Sequence, residues 1–211
     1  MATPKTTQKA DDDVQPSTST SQTVDLSERE SDEAVRRTGL RAAVVFESVR
    51  REGETELQRP AVALAYSGLA AGFSMTLSLI VTGLIRAALP DAPWTVLLSN
   101  LGYTVGFLAT ILGRQQLFTE NTVTAIIPLL DDARDHRKWH HVLRLWAVVL
   151  ASNLVGTCAL VFAIAHSGVF NDSVKHAFLA IGLHALASPP LTMFLKAIFA
   201  GWLIALMVWL L

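Results

Sequence analysis

The sequence predicts an all-α, multi-pass membrane bundle behind a polar N-terminal tail, and two observations carry that prediction. The first is composition. Of the 211 residues, 51% are hydrophobic and 17% are charged, against about 25% charged in an average soluble domain. The second is placement. No Asp, Glu, Lys or Arg occurs from Ala61 to Ile85, from Ala92 to Gly113, from Leu145 to Asn171, or from Ala197 to the end. Such runs approach or exceed the roughly 20 apolar residues that a helix needs to cross a bilayer. One run fits a buried core helix. Four leave a soluble fold without polar faces to show to water.

Each element follows in order. Residues 1–31 are rich in Ser, Thr, Gln, Asp and Lys. They bury too little apolar surface to offset chain entropy and are read as a disordered tail. Residues 32–59 form an amphipathic helix, with Val35, Ala42, Val45, Phe46 and Val49 near helical spacing and arginines mostly elsewhere. It is expected on the cytoplasmic face of the bundle or in the membrane interface, and a solvated lead-in helix has at least equal weight. Pro60 suits the first turn of the next helix. Residues 61–89 are the first span, dense in small side chains that let helices approach closely in lipid, so this span is expected to be buried among others.

After a turn at Pro90-Asp91-Ala92-Pro93, the apolar region 94–130 is too long. As one straight helix its residues span about 55 Å, well beyond a hydrocarbon core of about 30 Å. It must break, and Gly113-Arg114-Gln115-Gln116 is the place. Broken backbone at membrane depth is tolerated only against protein or a water-filled cavity. A third span covers 142–167. A loop with an amphipathic stretch ends at Pro189-Pro190, and a fourth span covers 191–211. Arginines and lysines cluster before the first span and between the second and third. The positive-inside rule therefore places the N-terminus and that second loop in the cytoplasm.

The functional candidates sit at the break. Arg114 and Glu120 are ionisable groups in an apolar run, where such residues face a cavity or a partner. An Arg114–Glu120 ion pair that only stabilises the break has equal weight. Thr119 and Asn121 serve either the pathway or the backbone groups that the break sets free. His136, His140 and His141 near Asp131 and Asp135 match no standard metal motif, so no metal is expected. Cys158, the single cysteine, offers no disulfide and reads as apolar filler. No cofactor is expected. With no Gly-x-Ser-x-Gly, no zinc-protease pattern and no phosphate loop, neither is an enzyme. A net charge of -1 argues against a nucleic-acid partner.

The stretch Gly113-Arg114-Gln115-Gln116-Leu117-Phe118-Thr119-Glu120-Asn121 resembles the broken second helix of the formate/nitrite transporter family, with its Gly-x-x-Leu-Phe-Thr pattern. Ala63–Gly83 resembles that family's first helix, and Gly102-Tyr103-Thr104-Val105-Gly106-Phe107 the approach to the break. Asn153-Leu154-Val155-Gly156 resembles its third helix, and Ala200-Gly201-Trp202-Leu203 through Trp209 its fourth. The likeness covers about residues 60–211 and is closest to a divergent subgroup with a long polar N-terminal tail.

The resemblance implies an aquaporin-like hourglass pore built from inverted repeats, in a homopentamer in the cell inner (plasma) membrane. The solute is a small monovalent anion such as formate or nitrite. Leu117 and Phe118 become the constriction, Thr119 the hydroxyl near its centre, and Gly201 part of the fourth-helix pore face. The sequence departs from the family at Gly201, where Asn is usual, and at Ala185–Ala187, where a lysine is expected. The family's central histidine belongs to a fifth helix, so the reading expects a chain truncated after the fourth. Two alternatives stand beside transport: a truncated, non-transporting membrane protein or accessory subunit, and an aquaporin-type channel for neutral solutes. The second of these predicts Asn-Pro-Ala motifs, which the sequence lacks.

Overall fold

The computed structural model describes residues 28–131 and 136–210. The expected disordered tail lies almost wholly outside them, as do the acidic stretch 132–135 and Leu211. The chain divides into two units, Met1–Leu40 and Arg41–Leu211. Of the first, residues 28–40 are helical and belong to α1 (Glu28–Gln58). The second holds the rest of α1 and everything below.

In that second unit α1 carries a ladder of ion pairs. Glu47 receives Arg50 at 2.8 Å and Arg51 at 2.6 Å, Glu54 receives Arg50 at 2.6 Å, and Glu56 receives Arg59 at 3.0 Å. All join residues three or four apart, the spacing at which helical side chains meet. The apolar contacts fall on Val49 and Leu57, which are buried, while Val44 and Phe46 stay exposed. The C-terminal carbonyls of the helix, left without partners inside it, are taken from α7. The Arg144 guanidinium donates to the Leu57 carbonyl at 2.8 Å and the Arg59 carbonyl at 3.0 Å.

Among the described residues, four stretches are long and apolar enough to cross a membrane: Ala61–Ala88, Pro93–Leu112, His136–His166 and Pro190–Leu210. The described residues contain helices and no strand, so the protein is a multi-pass helical membrane protein. α2 (Ala61–Ala88) is its axis. It starts after extended Pro60 and packs against α3 (Pro93–Leu101), α4 (Thr104–Leu112), α7 (His136–His166) and α8 (Asp172–Leu186). Its buried positions are mostly small: Gly68, Ala71, Gly72, Ser74, Thr76, Ser78, Thr82 and Gly83. Where α2 meets α7, backbone touches backbone. A Cβ on Gly72 would lie 2.4 Å from the Asn153 carbonyl, and one on Gly156 would lie 2.6 Å from that of Leu69. Lipid gives no hydrophobic drive for helix association, so this close packing supplies the attraction.

The second span is interrupted earlier than length alone required. α3 and α4 are separated at Gly102-Tyr103 by tight turns in which Gly102 N–H bonds Ser99 O and Tyr103 N–H bonds Asn100 O. The cause is packing: a Cβ on Gly102 would stand 2.7 Å from the Thr82 nitrogen of α2. Ser78 of α2 repairs the gap. Its hydroxyl donates to the Tyr103 carbonyl at 2.7 Å and accepts the Gly106 N–H at 3.1 Å.

Beyond α4 come α5 (Phe118–Thr124) and α6 (Ile126–Asp131), which pack against α7. Leu57, Leu64, Ala125, Leu129, Val142, Leu145 and Val149 form one buried cluster at this end, with Phe118 and Trp146 against it. α9 (Pro190–Leu210) packs on α5, and Val208 is its buried residue.

Two measurements test this packing. Gly72→Leu should destabilise the bundle by about 1–3 kcal/mol or more through overpacking, read as a lower thermal midpoint in detergent. Gly201→Ala, inside α9 where a Cβ would meet nothing within 4 Å, should hold that midpoint or raise it slightly, since alanine favours the helix over glycine by about 0.5–1 kcal/mol. Separately, hydrogen bonds from Arg50 and then Arg51 hold the Glu47 carboxyl down from 4.5 to about 2. A depressed carboxylate stabilises the fold fully above its unfolded value and loses that contribution as pH falls through the folded one. The ladder should therefore persist below pH 4.5 and fail near pH 2. A Glu47 carboxyl titrating by NMR with a midpoint near 4.5 would show that the pairs do not form in solution.

Candidate functional site

The interruption between α4 and α5 is built as a helix stop followed by three non-helical residues, Gln115, Gln116 and the extended Leu117. α4 ends in a reciprocal pair of bonds: Gln115 N–H to Thr110 O at 3.0 Å and Arg114 N–H to Ile111 O at 3.1 Å. This is the Schellman pattern, whose left-handed residue is usually glycine. Here that residue is Arg114, with φ 46°, while Gly113 stays right-handed at φ -80°. A left-handed conformation costs an L-residue roughly 1–2 kcal/mol. The sequence thus puts a strained arginine where its neighbouring glycine would fit without cost. Arg114 is exposed, and no ion pair joins it to Glu120 among the described residues.

Leu117 follows, extended at φ -100°, ψ 127°, and α5 begins at Phe118. The backbone set free around it is satisfied by neighbouring helices. The Gln116 N–H bonds the Ser67 hydroxyl of α2 at 3.0 Å. Asn153 of α7 accepts the Phe118 N–H at 2.9 Å, and its own amide donates to Gln116 O at 2.9 Å and to Gly68 O of α2 at 2.8 Å. Unpaired peptide groups at membrane depth cost several kcal/mol each, and these bonds remove that cost. Inside the segment, the Asn121 amide donates to Gln116 Oε1 at 2.8 Å. The Trp146 indole N–H reaches the Asn121 carbonyl at 3.1 Å. Gln115 Oε1 is buried there without a partner.

The candidates from the sequence are distributed as follows. Leu117 and Asn121 are buried, Phe118 and Glu120 half-buried, and Gly113, Arg114 and Thr119 exposed. Phe118 meets the Trp146 ring edge-on, centroids 6.4 Å apart. Gly201 lies on the exposed length of α9, and nothing in the bond network links it to the break. Sequence reasoning named Gln116 only within the break, counted Ser67 only among the small residues of the first span, and met Asn153 only as part of a helix pattern. For Asn153 a signal existed, since a carboxamide inside a long uncharged run must find a polar partner. Among the described residues no group of His, Cys, Asp or Glu is placed to hold a metal.

Apolar spans around an interruption that is stabilised, not repaired, define a class: membrane transport proteins with discontinuous helices. The chain belongs to the formate/nitrite transporter family, whose sequence profile matches residues 43–211. It is similar to the Inner membrane protein YfdC of Escherichia coli (strain K12), 44% identical over 169 residues, which are 80% of this chain and 54% of that protein. It is also similar to the Uncharacterized transporter YwcJ of Bacillus subtilis (strain 168), 26% identical over 117 residues, 55% of this chain and 44% of that protein. The chain spans about half the length of these curated relatives.

The strain at Arg114 gives a direct test. Arg114→Gly should stabilise the protein by about 1 kcal/mol, because glycine takes a left-handed conformation freely. Ser67→Ala should cost about 1–3 kcal/mol, because it leaves the buried Gln116 N–H unpaired. Thermal midpoints of the two variants should move in opposite directions; a lower midpoint for Arg114→Gly refutes the strain argument.

Proposed function

We propose that this chain forms a pathway for small monovalent anions of the formate/nitrite class across a cell inner membrane. The observation that carries the reading is the interruption at 113–117, held by Ser67 and Asn153 directly after the candidate span Pro93–Leu112 and before the short helix α5. Family membership supports the class of solute. In this reading Leu117 and Phe118 form the apolar constriction, and Thr119 presents its hydroxyl beside it. Arg114 supplies positive potential at the approach, with Gly113 setting the turn. Glu120 and Asn121 shape the polar side, and Gly201 lines the fourth helix.

An apolar slit sets the chemistry. Dehydrating a bare anion costs several kcal/mol even after the protein relaxes. A weak acid avoids that cost by crossing the slit as its neutral, protonated form. The unpartnered Gln115 Oε1 is an acceptor suited to such an O–H. The exposed arginine serves capture, where the solute is still charged. The reading also takes the protein as a non-enzyme and places α1 and the N-terminus in the cytoplasm. The cluster of Arg50, Arg51, Arg59, Arg137, Lys138 and Arg144 supports that orientation. A hourglass assembly of inverted repeats, in a pentamer, is the arrangement that the family resemblance implies. Exposed apolar faces on α3, α4 and α9 support further helix contacts.

The test is flux into liposomes carrying the full chain. Labelled formate and nitrite should enter faster than into empty liposomes, and faster at lower external pH. Leu117→Ala should raise entry of a bulkier anion such as lactate by about tenfold, equivalent to about 1.4 kcal/mol off its barrier. Inserted, folded protein that passes neither formate nor nitrite would sink the reading.

A further inference from the structure

We infer that Asn153 is the positioning residue that sets the width of the constriction, by locking Leu117 in its extended conformation. The inference rests on the pathway reading above and names a residue outside the Leu-Phe-Thr motif as a determinant of its selectivity. In an extended chain the carbonyl before a residue and the N–H after it point to the same edge. Around Leu117 those groups are Gln116 O and Phe118 N–H, and one carboxamide reads both, each at 2.9 Å. Asn153 therefore acts as a single rung of β-ladder supplied by a side chain. If Leu117 turned helical, the two groups would diverge and at least one bond would break. The conformation that aims the Leu117 side chain is thus the one that Asn153 recognises.

The rung is itself immobilised. The second amide hydrogen of Asn153 goes to Gly68 O at 2.8 Å, on the helix whose Ser67 holds Gln116 N–H. The backbone of Asn153 lies at the closest approach of α7 to α2, where its carbonyl would stand 2.4 Å from a Cβ on Gly72. The carboxamide has no freedom to follow a moving Leu117. No other described side chain bonds both Gln116 O and Phe118 N–H. Arg114, Thr119 and Glu120 make no side-chain bond across the break, so they do not share the task.

The chemistry separates the two halves of the carboxamide. Asn153→Asp keeps the oxygen that accepts Phe118 N–H and loses both donors. Asn153→Leu keeps the volume and loses all three bonds. The experiment uses the full chain in liposomes and reads two quantities. One is amide hydrogen exchange over residues 116–119. The other is the ratio of formate to lactate entry.

For Asn153→Leu we expect exchange at the Phe118 amide to rise about tenfold or more, as the loss of a protecting bond implies, and the formate-to-lactate ratio to fall. For Asn153→Asp we expect Phe118 to stay protected, so that variant decides the matter if Asn153→Leu fails to insert; rapid exchange there overturns the proposal. Unchanged exchange in Asn153→Leu also overturns it. Faster exchange with an unchanged flux ratio overturns the selectivity role and leaves Asn153 a structural bond only. Absence of flux in the unaltered chain removes the pathway reading instead, while the exchange data still decide whether Asn153 holds Leu117.

Discussion

Peptide groups must be paired wherever water is absent, and the rest of this structure depends on how that demand is met at residues 113–118. A continuous helix meets it internally. This chain abandons the helix at Leu112 and exports the debt to its neighbours. α2 supplies the Ser67 hydroxyl and the Gly68 carbonyl, and α7 supplies the Asn153 carboxamide. Those atoms reach the break only because α2 and α7 are in backbone contact at Gly72 and Gly156. The small residues of α2 are therefore more than a packing convenience. They bring the donors and acceptors within hydrogen-bond distance of the Gln116 and Phe118 backbone groups, which α4 and α5 do not pair.

The same device recurs at lower cost along the span. At Gly102-Tyr103 the gap is shorter and one hydroxyl, Ser78, bridges it. In both places a serine on α2 takes an N–H from the second span, and a missing or small side chain makes room. The two interruptions differ in what they expose. The first returns at once to helix. The second leaves Leu117 extended and puts a strained arginine at the rim. Strain kept in a non-glycine residue, where a glycine stands one position away, is the feature behind the capture role proposed for Arg114.

Much of this was legible in the sequence, for a physical reason. Spans are a matter of composition, and charge-free runs reveal them wherever they pack. The over-length run 94–130 pointed to an interruption because helix rise and bilayer thickness are both fixed. What the sequence did not show was long-range. Ser67 and Asn153 are ordinary polar residues until α2 and α7 are brought against the break. Gly102 reads as one more small residue until the backbone of Thr82 is seen beside it. Nor did the sequence show which residue of the break turns left-handed: the pair of bonds to Thr110 and Ile111 puts Arg114 there, beside Gly113. Phe46 looked like part of α1's apolar face, and the buried positions are Val49 and Leu57.

The span of those bonds along the chain has a consequence for biosynthesis. Ser67 precedes Gln116 by 49 residues, so its hydroxyl is already in place when the break emerges from the ribosome. Asn153 follows Phe118 by 35 residues and is not. Until α7 has been made, Gln116 O and Phe118 N–H lack the partner that Asn153 gives them, and lipid will not accept them unpaired. The second apolar segment therefore cannot settle alone into the bilayer. It must wait in a wet or protein-lined shelter for the third, and the two helices enter the membrane as one hydrogen-bonded unit.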